Sequence, residues 1–206
     1  MTIVIKSLFA QTSAALRVLL VFTVLLGVLY PLGVWAVSRI PGLAHNAEGS
    51  LVEYRGAAAG SALIGVDPVF TGPPSADPWF HTRPSASADT PLGQGDPATS
   101  GGSNKSAVNP EQVELVGQRK ERIAAREGVE PGAVPPEAVT ASASGVDPGI
   151  STAYAELQVP RVARNNGLDP ALVRGLVRAA TETQGIGIAS VNVLELNLAV
   201  RASARG

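Results

Sequence analysis

VLLVFTVLLGVLYPLGVWAVS, residues 18–38, contains no charged side chain. A helix rising about 1.5 Å per residue would carry this run across roughly 30 Å, the thickness of a bilayer's hydrocarbon core. Gly27, Pro31 and Gly33 lie inside it. All three would weaken a soluble helix, and all are tolerated in membrane helices. Tyr30 and Trp35 fall toward its C-terminal end, where an aromatic belt is expected. A cleaved signal peptide would have a shorter apolar region ending in a small-residue cleavage site. The stretch AVSRIPGLAHN offers no clean site of that kind. The expected organisation is an N-terminal tail (1–13), a retained transmembrane helix (14–38) and one soluble domain (39–206).

Working outward, the charges flanking the span nearly balance. Lys6 and Arg17 precede it, and Arg39 and Arg55 follow. The N-terminal amine, together with Glu48 and Glu53 on the far side, tips the reading toward a cytoplasmic N-terminus and an extracytoplasmic domain. The 206 residues carry a formal net charge of -1, which argues against nucleic acid as the main partner. There is no cysteine, so no disulfide, thiolate zinc site or cysteine nucleophile is available. Two distant histidines, His45 and His81, do not make a metal site.

Beyond the span, GSLVEYR and SALIGV read as short strands bounded by turn residues. Residues 85–106 are almost wholly Ala, Ser, Gly, Pro, Thr and Asp, a loop length that is usually functional or disordered. Asn109 then suits a helix N-cap and Pro110 the first helical position. The expected buried face is Val113, Val116, Lys120 and Ile123, with Arg119, Glu121 and Arg122 mostly elsewhere and Gly128 as the stop. Ser151 is expected to cap a second helix that Pro160 kinks or splits. Asp169-Pro170 opens a third, with Val173, Leu176, Val177 and Ala180 inward and Gly185 as its end. VNVLELNLAV reads as a strand, with Leu194, Leu196, Leu198 and Val200 on one face. Short strands and segregated helices together predict an α+β domain: a small sheet and several helices behind one membrane helix.

Three constellations have a chemical reading. ATSGGSNKS (98–106) is glycine-rich and contains Lys105, but Asn104 separates Ser103 from that lysine, and no strand precedes the loop. A phosphate-binding loop needs Gly-Lys-Ser/Thr contiguous between strand and helix. His81, with Ser85 or Ser87, could serve a membrane-anchored hydrolase, but no G-x-S-x-G elbow presents a serine. The expected role of this stretch is a packed aromatic, with Arg83 bonded to backbone carbonyls. VARNNGLDPALVRGLV, with Arg161, Arg164, Arg174 and Arg178, could be a helix-turn-helix in a membrane-tethered DNA-binding regulator. Glu156, Asp169 and Glu182 dilute its charge, so a structural hairpin with the arginines on a solvated face is expected. SGGSNKSAVNP and TASASGVDPGIS share small hydroxyl and glycine residues without an acid–base pair, which suits close docking or packing of backbone.

Taken in order, YPL (30–32), AEGSLV (47–52), GSALIG (60–65), WFHTRPSA (79–86), SGGSNKSAVNP (100–110), VPPEAVTASASGVDPGIS (134–151), QVPRVARNNGL (158–168) and VNVLELNL (191–198) cover the chain nearly end to end. In these motifs the chain resembles the C subunit of the Kdp-type high-affinity potassium-transporting P-type ATPase. It departs from the family pattern at Val66, where a glutamine is usual, at Gly149, where a histidine is common, and at Ser190, near which an arginine is usual.

The resemblance implies a non-catalytic, single-pass cell-membrane subunit with no catalytic residues and no metal of its own. Its implied partners are an ATP-hydrolysing P-type ATPase subunit, a channel-like potassium-binding subunit and a small single-span subunit. ATP and potassium are handled by that complex, and the C subunit assists assembly and acts as a catalytic chaperone for ATP binding. Gln158 is the residue expected at any nucleotide contact. Gly27 and Gly33 are expected to let helices approach in the membrane. Arg83, Ser100, Gly101, Gly102, Ser103, Asn104, Ser144, Gly145, Asp147 and Pro148 are expected on the partner face or in the loops supporting it.

Overall fold

Helical structure starts at Thr2 and runs on to Ser38. Helix α1 spans Thr2–Val24, a π-helical turn spans Leu25–Leu29, and α2 spans Tyr30–Ser38. The computed structural model describes residues 2–182 and 189–204. The stretch read as a tail is therefore helical from residue 2, and residues 2–17 contain neither glycine nor proline to stop it. The wide turn has a local cause. Pro31 has no N–H, and in an unbroken α-helix its ring would press on the carbonyl four residues back, that of Gly27. The chain widens just before it, and the Tyr30 N–H bonds to the Leu25 carbonyl. The stretch Val4–Ser38 is long and apolar enough to cross a membrane, and none of its most apolar window is buried.

By contacts the chain divides into two compact units, Met1–Ser50 and Leu51–Gly206. The first holds the long helix and the short helix α3 (Ala44–Ala47). At the helix end the Arg39 guanidinium lies 5.8 Å from the Trp35 ring centroid and 2.5 Å from the Glu48 carboxylate.

The second unit opens with an antiparallel hairpin, β1 (Leu51–Tyr54) and β2 (Ala57–Ser61). Arg55 and Gly56 turn it, both with positive φ (56° and 78°), the two-residue turn that matches strand twist. The second strand is thus AAAGS, not SALIGV: the turn sets the register, and Leu63–Gly65 falls beyond the ladder. Helix α4 (Pro110–Glu127) follows the long loop. The Asn109 side chain accepts from the Gln112 N–H, and Gly128 ends the helix at φ 71°. Short helix α5 (Pro136–Val139) and strand β3 (Gly149–Ser151) lead to α6 (Thr152–Asn166), capped by the Ser151 side chain. Pro160 neither splits nor ends α6; the helix runs on to Gly167 at φ 66°, where the Leu168 N–H bonds back to the Ala163 carbonyl. Helix α7 (Pro170–Ala179) is capped by Asp169 and buries Val173 and Val177, as its pattern predicts. It ends at Ala180; Gly185, the expected stop, lies outside the described residues.

Strands β4 (Thr181–Glu182) and β5 (Ser190–Asn192) complete a three-stranded antiparallel sheet of order β3-β5-β4. The chain then forms α8 (Val193–Ser203), where a strand was expected. The Asn192 side chain accepts from the Glu195 N–H, and Val193, Leu196, Asn197 and Val200 are buried at helical spacing. The core joins Phe80, Ile123 and Val134 to the inner faces of α6, α7 and α8 and to Ile150 and Val191 of the sheet.

Candidate functional site

The largest fully buried side chain among the described residues of the second unit is a charge. Arg161 on α6 is fully buried, which corrects its expected place on a solvated face; Arg164, Arg174 and Arg178 are exposed. Arg161 Nε donates to Glu127 Oε2 at 2.9 Å. Its Nη1 donates to the carbonyls of Asp77 (2.5 Å) and Trp79 (2.9 Å), and its Nη2 donates to Gln158 Oε1 at 3.2 Å. Glu127 also accepts from Arg126 Nε at 2.8 Å, and Arg126 Nη2 donates to the Tyr154 hydroxyl at 2.9 Å. The expected face of α4 holds at Ile123, which is buried, at half-buried Val116 and Lys120, and at exposed Glu121 and Arg122; it is overturned at Val113 and Arg119. Gln112, Arg119, Ile123, Arg126 and Glu127 are buried, while Val113 is exposed, because the helix turns its charges toward buried partners.

His81 continues the network. Its Nδ1 lies 2.8 Å from Asp67 Oδ2 and its Nε2 lies 2.9 Å from Asp77 Oδ2. An ionised carboxylate only accepts, so both contacts are hydrogen bonds only when both ring nitrogens carry protons. Burial works against ionisation of Asp77. The hydrogen bond and charge of His81, the Trp79 N–H and the Arg161 charge outweigh it, so its pKa lies below the ordinary 3.8. Burial also disfavours the Arg126 charge, but Tyr154 and Glu127 outweigh it and raise its pKa. Burial raises the Tyr154 phenol and lowers the Arg119 guanidinium. His81 is therefore held by two carboxylates, while Ser85 Oγ bonds to Ser87 Oγ at 2.9 Å. The histidine–serine pair that a hydrolase would need is not formed.

Gln158 is fully buried. Its Oε1 accepts from the His81 N–H at 2.8 Å and its Nε2 donates to the His81 carbonyl at 3.3 Å, so both ends of the amide brace the 77–83 backbone. Asn197 on α8 does the same for Phe80, at 2.8 and 2.9 Å.

Above this floor the two small-residue loops fold onto one another. The Gly101 N–H donates to the Ser144 carbonyl at 2.7 Å, and Ser100 Oγ donates to the same carbonyl at 3.0 Å. The Ser142 N–H donates to the Pro84 carbonyl at 3.0 Å. Gly145 has φ 75°, and a Cβ there would stand 2.8 Å from the Gly101 carbonyl oxygen. A Cβ on Gly102 would meet the Ala143 carbonyl at 3.0 Å. Arg83 ties the 79–86 stretch to the second loop, with Nη2 on the Thr140 and Ala141 carbonyls, the backbone bonding expected of it, and Nη1 on Asp147, all at 3.3 Å. The Pro148 carbonyl accepts from the Val193 N–H at 3.0 Å, tying the second loop to the start of α8. Ser103 is half-buried, and Asn104 is exposed at φ 52°. Gly27 and Gly33 belong to the first unit; a Cβ at either meets no atom of the chain closer than 4.0 Å. Two of the family departures are neighbours, since a Cβ on Gly149 would fall on the Ser190 hydroxyl. Val66 is exposed.

Sequence reasoning missed Asp67, Asp77, Arg126, Glu127 and Asn197. Of these, only Arg126-Glu127 carried a signal, as paired charges in the last turn of a helix expected to be amphipathic.

A helix long and apolar enough to span a bilayer, followed by an α+β unit of loops cross-braced through a buried ionic network, defines the class: a candidate single-span protein with one folded unit after the span. The family model for the c chain of the K+-transporting ATPase, KdpC, matches residues 12–202. The chain belongs to the KdpC family. A potassium-transporting ATPase KdpC subunit of Kineococcus radiotolerans is 40% identical over 207 residues, covering 99% of this chain and 100% of that one. Subunits of the same name are 44% identical in Polaromonas naphthalenivorans, covering 91% and 92%, and 40% identical in Mycobacterium tuberculosis, covering 92% and 97%.

Proposed function

We propose that this chain is the accessory, non-catalytic subunit of a high-affinity, ATP-driven potassium uptake complex in the cell membrane. The full-length similarity to potassium-transporting ATPase KdpC subunits carries the reading. In it, the single span docks among the helices of a channel-like potassium subunit, a P-type ATPase subunit and a small one-span subunit. Gly27 and Gly33 support this, because the chain's own packing does not need a bare Cα at either position. The N-terminus is cytoplasmic and the second unit extracytoplasmic, where the braced loops 79–86, 100–109 and 140–151 support the partner face. The subunit assists assembly and raises ATP binding by the ATPase subunit. From outside the cell, that effect travels as a coupling free energy through the membrane subunits. The burial of Gln158 favours such transmission over a direct nucleotide contact there.

The test is affinity purification of the tagged full-length chain from membranes of its own host grown with scarce potassium, followed by mass spectrometry. Co-recovery of a P-type ATPase with a channel-like potassium subunit is the expected outcome. Recovery of the chain alone, from cells that make those subunits, would refute the reading.

A further inference from the structure

A cavity of about 520 Å³ opens beside His81. That volume suits a small organic ligand. Val69, Phe70 and Leu92 form its apolar wall, with Arg122 and Arg126 of α4 on its lining. Val69 is 65% and Phe70 37% exposed, so the wall presents uncovered apolar surface.

The charges in the cavity are not equivalent. Asp67 and Asp77 also line it, but their oxygens are spent. Asp67 Oδ2 faces His81, and its Oδ1 accepts from the Thr82 N–H and hydroxyl. Asp77 Oδ2 faces His81, and its Oδ1 accepts from the Trp79 N–H. The guanidiniums have capacity left. Arg126 bonds through Nε and Nη2, and its Nη1 has no partner among the described residues. Arg122 has no hydrogen-bond or ion-pair partner among the described residues either. Both lie one helical turn apart on α4, where positions i and i+4 are neighbours. The uncommitted Arg122 fork and the Nη1 left over on Arg126, beside an apolar wall, match a planar anion on an apolar body.

We propose that this cavity binds a small organic monoanion of the aryl or alkyl carboxylate class, its carboxylate between Arg122 and Arg126 and its body on Val69, Phe70 and Leu92. The inference goes beyond the transport reading and does not depend on assembly with other subunits.

The chain has two histidines, His45 and His81, and only His81 lines the cavity, so its ring resonances report occupancy. Full-length chain in non-ionic detergent, labelled at histidine, would be titrated with benzoate, acetate and benzyl alcohol. Benzoate is expected to shift His81 saturably and leave His45 in place, with acetate and benzyl alcohol at least tenfold weaker. Arg122→Gln, at an exposed position that leaves the buried network intact, should weaken benzoate by about tenfold. Arg122→Lys, which keeps the charge but loses the fork, should fall between. The proposal is overturned if benzoate gives no saturable shift, or if either fragment compound binds as well as benzoate. It is equally overturned if Arg122→Gln, shown to be folded by an unchanged circular dichroism spectrum and melting midpoint, binds benzoate unchanged.

Discussion

Arg161 has every hydrogen-bonding arm of its fork committed, to Glu127, to Gln158 and to two carbonyls of the 77–79 backbone. A buried ion pair often adds little net stability, yet breaking one from a single side strands the other charge. Arg161→Met should therefore cost about 3–5 kcal/mol, read as a lower denaturant midpoint. Arg161→Lys should recover under half of it, since one ammonium cannot reach the carboxylate, the amide and both carbonyls. A loss under about 1 kcal/mol would show that the network carries no more than a surface pair. Asp77 adds a pH dependence with a definite sign. Its pKa in the folded state lies below 3.8, so its stabilising contribution is fully present above that value and is lost as pH falls through the folded pKa. Acid titration followed by tryptophan fluorescence should show a steep limb below about pH 4 that flattens in Asp77→Asn. Arg161 was illegible in the sequence for a plain reason. Its carboxylate partner lies 34 residues away, and its neighbours Arg164 and Asn165 look like a solvated helix face.

Elements with local punctuation could be read directly. Asn109-Pro110 and Gly128 bound α4, Ser151 opens α6, and Asp169-Pro170 opens α7, because caps are written within a few residues. The terminal segment shows where such reading fails. VNVLELNLAV satisfies alternation and the helical period together, and alternation looked stronger over its leucines. The deciding signal was Asn192 with Glu195 three residues on, a capping pattern hidden inside an apolar run. Asn192 also donates from Nδ2 to the Ala62 carbonyl at 2.9 Å, so it joins α8 to the segment after the hairpin. Asn192→Ala should cost about 1–2 kcal/mol, and Asn192→Asp, which keeps the cap, about half that, by thermal or denaturant melts. The long loop 85–106 offered no pattern, since much of its order comes from partners far along the chain, such as Asp67 for Gln94, Arg119 for Pro91 and Ser144 for Ser100. Gly145→Ala tests that packing: the left-handed backbone and the Gly101 carbonyl both oppose a Cβ. It should destabilise by about 1–3 kcal/mol, whereas Gly132→Ala, with no atom within 4 Å, should be close to neutral.

At the scale of the whole molecule, the buried hydrophobic cluster, the ionic network and the sheet all lie in the Leu51–Gly206 unit, while the apolar helix and its aromatic end belong to the other. The span was legible because hydropathy over twenty residues needs no tertiary partner. The α+β class was legible because caps and strand signals alternate along the chain. The particular arrangement of loops was not, because small residues specify close approach without saying to what. Since the core residues all come from one unit, a chain beginning at residue 51 should fold by itself. It should unfold in a single cooperative transition by circular dichroism, and its Arg161→Met form should lose the same free energy as the full-length variant. Separated from the helix, it should leave the membrane fraction and no longer co-purify with potassium-transport subunits. The two outcomes are independent, so the experiment separates roles. A folded fragment that still captured the complex would move the docking determinant from the span, with its Gly27 and Gly33, into the braced loops. A fragment that failed to fold would mean that the stability of the second unit draws on residues before Leu51.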